Sequence, residues 1–113
     1  MKLSEIVERL GLEVRTGAGH LETEVTHGYV SDMLSDVIGN AHEGAVWVTL
    51  QSHQNVVAVA IMRSLAGIIL IKGREPDEET IRKAEAEGVP ILVSEDSAFA
   101  VVSRLHDLGI VGG

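Results

Sequence analysis

Gln51-Ser52-His53-Gln54-Asn55 sets five polar side chains, three of them amides and one an imidazole, between two strongly apolar segments. Groups of these types can hydrogen-bond a phosphate or a carboxylate, and a helix starting beside them would add exposed backbone N–H groups. His53 is also suited to general acid/base work on a phosphorylated or carboxylate substrate. The same residues have a purely local use, because Ser52 and Asn55 can turn the chain and cap a helix. Lys72-Gly73-Arg74 puts two cations around a flexible glycine, a grouping suited either to an anion or to solvated surface. Gln51, Ser52, His53, Asn55, Lys72 and Arg74 are therefore the candidate ligand-binding residues.

Other chemistries find no footing. The phosphate-cradling string Gly-x-x-x-x-Gly-Lys-Ser/Thr is absent, and Gly17-Ala18-Gly19 lacks the third glycine of a dinucleotide fingerprint, so it reads as a turn. Five histidines (His20, His27, His42, His53, His106) include no His-Glu-x-x-His pair or other tight ligand spacing, so no metal is expected. His42 reads as solvated loop and His106 as a packed or hydrogen-bonded histidine on an apolar helix face. Asp32 and Asp36 sit four apart on one helix face, where they could pair, although the helix dipole alone accounts for an acid near the start. No nucleophile has an evident base partner, so no catalytic residue is assigned and no cofactor is expected.

The elements that position these residues alternate. Leu3, Ile6, Val7 and Leu10 predict a short helix between Ser4 as N-cap and Gly11. Two short strands follow, one around Leu12 and Val14 and one over Leu21, Thr23 and Val25, separated by the turn at residues 16–20. Ser31 or Asp32 caps a helix carrying Met33, Leu34, Val37 and Ile38. Residues 46–50 read as a strand, residues 56–62 as a helix capped by Asn55, and residues 66–71 as the next strand. Residues 56–62 are apolar on every side, so periodicity alone leaves a buried strand open there. Pro76, Asp77, Glu78 and Glu79, followed by Arg82, Lys83 and Gly88, mark a helix whose charges suit its dipole, with Glu78–Arg82 and Glu79–Lys83 at i, i+4 spacing. Residues 90–93 form a strand, and Asp96 or Ser97 caps a last helix with Phe99, Val102, Leu105 and His106 on its face.

Wholly apolar strands such as Gly67-Ile68-Ile69-Leu70-Ile71 between helices predict a three-layer α/β domain with a mostly parallel sheet. Ligands in such folds sit beyond the carboxyl ends of the strands, which is where both candidate loops lie. The 113 residues suffice for one domain, and 45% hydrophobic content excludes disorder. A net charge of −8 and only three aromatic residues argue against nucleic acid as a partner. The absence of cysteine and of a basic-then-apolar start fits a cytoplasmic protein with no membrane attachment. The short chain, with its all-round apolar segment at residues 56–62, is expected to form a homodimer.

Gly28-Tyr29-Val30-Ser31-Asp32-Met33-Leu34-Ser35-Asp36-Val37, the run from Val46 through Gln51-Ser52-His53-Gln54-Asn55 to Ala60, Gly67-Ile68-Ile69-Leu70-Ile71 and Gly88-Val89-Pro90-Ile91-Leu92-Val93-Ser94 resemble the DRTGG domain family in its stand-alone form. The resemblance runs over most of the chain. It implies a fold related to the N-terminal, non-catalytic domain of HPr kinase/phosphorylase, also found as an accessory module in some pyrophosphatases and phosphotransacetylases. It further implies a small regulatory or ligand-sensing domain, often dimeric, acting on a partner enzyme, with stand-alone copies among anaerobic redox and hydrogenase systems. The string Asp-Arg-Thr-Gly-Gly is itself absent; its nearest echoes are Val14-Arg15-Thr16-Gly17 and Ile71-Lys72-Gly73-Arg74.

Overall fold

Strands that must be buried on both faces need apolar residues, and the central strands of this chain have them at every position but the buried Thr49. The computed structural model describes all of residues 1–113. Along the chain run α1 (Leu3–Leu10), β1 (Glu13–Thr16), a 3₁₀ turn (Ala18–His20), β2 (Gly28–Val30), α2 (Leu34–Asn40), β3 (Val46–Thr49), α3 (Asn55–Met62), β4 (Gly67–Leu70), α4 (Glu78–Glu87), β5 (Ile91–Val93) and α5 (Ala98–Asp107). The strands form one sheet in the order β1-β5-β4-β3-β2, with β2 to β5 parallel and β1 antiparallel on β5.

Alternation of side chains along each strand feeds two cores. Trp47, Ile68, Leu70 and Ile91 face one layer with Val37 of α2, Val56, Val57 and Val59 of α3 and Ala84 of α4. Val46, Val48, Ile69 and Leu92 face the other, with Leu3 and Ile6 of α1 and Val101 and Leu105 of α5. The predicted three-layer architecture is thus the observed one, and residues 56–62 are helix rather than strand.

Several local expectations are corrected. Ser4 lies inside α1; the helix starts after Lys2, whose backbone N–H donates to the Glu5 carboxylate at 3.1 Å. Residues 21–25 form no strand beyond a single bridge between Lys2 and Glu24, and the edge strand is instead Gly28–Val30. Neither Ser31 nor Asp32 caps α2: Met33 stands at the N-cap with no side-chain bond into the helix, and the Ser31 hydroxyl accepts from the Met33 N–H just before it at 3.1 Å. Arg82 pairs with Glu79, one turn back, in place of Glu78. Ser97 rather than Asp96 caps α5, accepting from the Ala100 N–H at 3.2 Å. The buried stripe of α5 is Val101 and Leu105, whereas Phe99 (88% exposed), Val102 and His106 face outward.

The antiparallel edge is pinned by the first echo of the family string. A bulge between Val14 and Thr16 turns the Thr16 hydroxyl inward. It donates to the Val89 carbonyl at 2.8 Å and accepts from the Ile91 N–H at 3.0 Å, both buried. Gly17 has φ +71°, and a Cβ there would stand 2.6 Å from Pro90 Cα, so this position needs glycine on two counts. Arg15 reaches across to Glu75 in a fork of 2.6 and 2.8 Å. These three residues hold β1 against β5 and the loop after β4, which is a structural use of the motif.

Candidate functional site

Because β3 and β4 are adjacent and parallel, the loops that follow them emerge on one rim of the sheet. They are tied together there. The Ser52 carbonyl accepts from the Asp77 N–H at 3.2 Å and from the Thr80 hydroxyl at 2.7 Å, and the Ser52 hydroxyl donates to Asp77 at 3.3 Å. His53 turns its Nδ1 to accept the Asn55 N–H at 3.2 Å, so the imidazole caps α3. Asn55 is then the first residue of the helix and not its cap, a correction to the expectation; a backbone N–H needs an acceptor, and the preceding imidazole supplies it.

Asp32, which the sequence placed on a helix with Asp36, stands apart from α2 at the end of β3. Its Oδ1 accepts from the Thr49 hydroxyl at 2.7 Å and from the Leu50 N–H at 2.8 Å, and its carbonyl accepts from Gln51 Nε2 at 2.8 Å. Gln51 is thereby fixed on the rim. The two aspartates form no pair. Asp36 is engaged with the Tyr29 hydroxyl and the Asn40 amide at 2.9 Å. The Ser31 hydroxyl, with those two donors, holds the Asp36 carboxyl below the ordinary carboxylate range.

After β4 the chain makes a tight left-handed turn. Lys72 has φ +57° and Gly73 φ +67°. The Lys72 N–H donates to the Asp96 carbonyl at 2.9 Å and the Gly73 N–H to the Ser94 carbonyl at 2.8 Å, which fastens this turn to the start of α5. A lysine in the left-handed region costs about 1 kcal/mol or more, so the surrounding bonds impose this conformation. Lys72 and Arg74 are exposed and take part in no ion pair. Of the carboxylates nearby, Glu95 packs against Gly73 without a bonded partner, and the others are engaged. Asp77 accepts from Ser52, Asp96 pairs with Arg104 at 3.2 Å, and Glu75 is held below the usual carboxylate range by Arg15.

Five of the six predicted residues therefore lie on the loops of one rim and the sixth, Asn55, opens α3 beside them, with His53 and Ser52 also holding the backbone. Sequence reasoning missed Asp32 and Asp77, whose rim partners lie 17 to 25 residues away and leave no local signal. It also missed the concave surface of the molecule, which lies elsewhere. A groove of about 670 Å³ runs between Val30 and the outer face of α5 at Ala98, Phe99, Val102 and His106. A second, of about 280 Å³, continues past Val102 to Leu105, Ile110 and Val111.

Comparison with known proteins bears on the fold. No curated protein matches the chain. One similar solved structure comprises the CBS and DRTGG domains of the regulatory region of a Clostridium perfringens pyrophosphatase, complexed with its activator diadenosine tetraphosphate. The two share a TM-score of 0.73 at 16% identity, over 92% of this chain and 45% of that one. This chain thus spans less than half of that structure, and the likeness is one of fold. No helix is long and apolar enough to cross a membrane. The DRTGG domain family model matches residues 5–108, nearly the whole chain, and the chain therefore belongs to the DRTGG domain family.

Proposed function

We propose that this chain is a non-catalytic regulatory domain that senses a small anion or nucleotide at the rim formed by residues 51–55 and 72–74. In this reading it works as a homodimer in the cytoplasm and modulates a partner enzyme, with anaerobic redox metabolism as the setting that the family resemblance implies. One observation carries the ligand assignment. A strained left-handed turn presents Lys72 and Arg74, both without an acidic partner, beside Gln51, Ser52 and His53 at the carboxyl ends of the two central strands. Strain held by surrounding hydrogen bonds and cations left free of partners are features of a binding rim, and parallel sheets bind ligands at this end. The pyrophosphatase relative supports the choice of nucleotide, since its regulatory region is complexed with a dinucleoside polyphosphate activator.

The geometry does not favour His53 as general acid/base. Its Nδ1 is engaged by the Asn55 N–H, no carboxylate orients the ring, and no nucleophile stands beside it. Titration calorimetry with diadenosine tetraphosphate and with inorganic pyrophosphate tests the assignment. Lys72→Ala, Arg74→Ala and His53→Ala are each expected to weaken binding about fivefold or more, the loss of one polar or charge-assisted contact. Unchanged affinity in all three variants would move the site elsewhere.

A further inference from the structure

The large apolar side chains left exposed by the fold fall mainly on one side. Val30 (49% exposed), Phe99 (88%), Val102 (38%) and Val111 (51%) line the two grooves at the open edge of β2. We propose that this edge is the interface of a symmetric homodimer in which two β2 strands meet antiparallel across a twofold axis at Val30. The inference rests on the self-association reading above and adds the surface and the register.

Hydrogen bonding chooses the partner. Tyr29 pairs with Trp47 between the bonds that His27 and Ser31 make to β3, so the outward positions of β2 are Gly28 and Val30. The Gly28 N–H already donates to the Val111 carbonyl at 3.0 Å. At Ser31 the chain still bonds to β3, its N–H donating to Val48, and the strand gives out there, before the bend at Asp32. One outward residue remains, which offers a long strand from a different protein a single rung. A twofold antiparallel pair needs no more than that, because a residue facing its own copy exchanges both bonds with it. The same operator sets Phe99 and Val102 of each copy against the groove of the other.

Charge points the same way. The chain carries −8, yet the larger groove contains no lysine or arginine, and Asp107 is its one carboxylate. A partner recognised by charge finds no complement there, whereas a second copy meets a nearly neutral surface. A standard interface covers about 800 Å² per partner, roughly one seventh of the 5649 Å² here. Met33, Ile61 and Met62 are also exposed but line neither groove.

The chain lacks cysteine, so single thiols can read the register directly. Residues in a hydrogen-bonded antiparallel pair have Cα atoms about 5.5 Å apart, within disulfide range. The wild-type protein is expected to sediment at twice 12.1 kDa at micromolar concentration, and Phe99→Asp at 12.1 kDa. Ile61→Asp should remain a dimer. Val30→Cys should cross-link under mild oxidation, and Met62→Cys should not. Phe99 is exposed, so its replacement leaves the core intact, and the Val30→Cys result decides independently should that variant fail to fold. A wild type that is monomeric throughout refutes both the interface and the self-association reading. A dimer that survives Phe99→Asp and resists the Val30→Cys cross-link refutes the interface alone.

Discussion

Replacing Thr16 by valine keeps the shape of the side chain and removes only its hydroxyl. In the native fold that hydroxyl satisfies the buried Val89 carbonyl and the buried Ile91 N–H. Valine would leave both without a partner, and each buried orphan costs about 1–3 kcal/mol. Allowing for the added methyl burial, Thr16→Val should destabilise the domain by about 1–5 kcal/mol, a large share of the roughly 5–15 kcal/mol typical of a domain. Thr16→Ser keeps the hydroxyl and loses one buried methyl, worth about 1 kcal/mol. Urea unfolding followed by circular dichroism, with equal m-values, gives both differences from the midpoints. If Thr16→Val unfolds within about 0.5 kcal/mol of wild type, or if serine is as damaging as valine, the hydroxyl does not pin β1 to β5.

Lys72→Gly relieves the left-handed lysine and should raise stability by about 0.5–1 kcal/mol once the added freedom of glycine in the unfolded chain is subtracted, while weakening diadenosine tetraphosphate binding. A scanning-calorimetry midpoint that falls would show that the turn is not strained. Glu75 is held below its ordinary value of 4.5 by Arg15, so its contribution to stability is present above about that pH and is lost as the pH falls through the depressed native value. Glu75→Gln should therefore flatten the acid limb of stability against pH below about 4.5 and reduce its salt dependence, without altering it near neutrality in shape; an unchanged acid limb would mean that the fork is screened away.

What could be read from sequence was what depends on near neighbours. Helix α4 announces itself through Asp77, Glu78 and Glu79 at one end and Gly88 at the other, and β3 to β5 through short runs rich in β-branched and other apolar residues. The failures have non-local causes. Residues 21–25 alternate like a strand but meet only Lys2, while β2 owes its place to β3 on one side and Val111 on the other. In α5 two apolar rows share Leu105: the three-spaced row through Phe99 and Val102 suggested the core face, but the four-spaced pair Val101 and Leu105 is buried. At the rim, the loops were legible from polarity and strand order. The bonds that fix them, Asp32 to Thr49 and Asp77 to Ser52, join residues whose proximity only the folded sheet creates.

The two sides of the sheet are unlike, and that difference limits how far the molecule can grow. On the β1 side, a bulge interrupts the ladder and Glu13 and Arg15 stand on the outer strand, features that discourage another strand from adding. A sheet open on both sides could add copies end to end without limit, as filaments do. With one side blunted, contact through β2 consumes the only growing end, so association by that route stops at a closed pair, and concentration alone would not drive this chain into fibres.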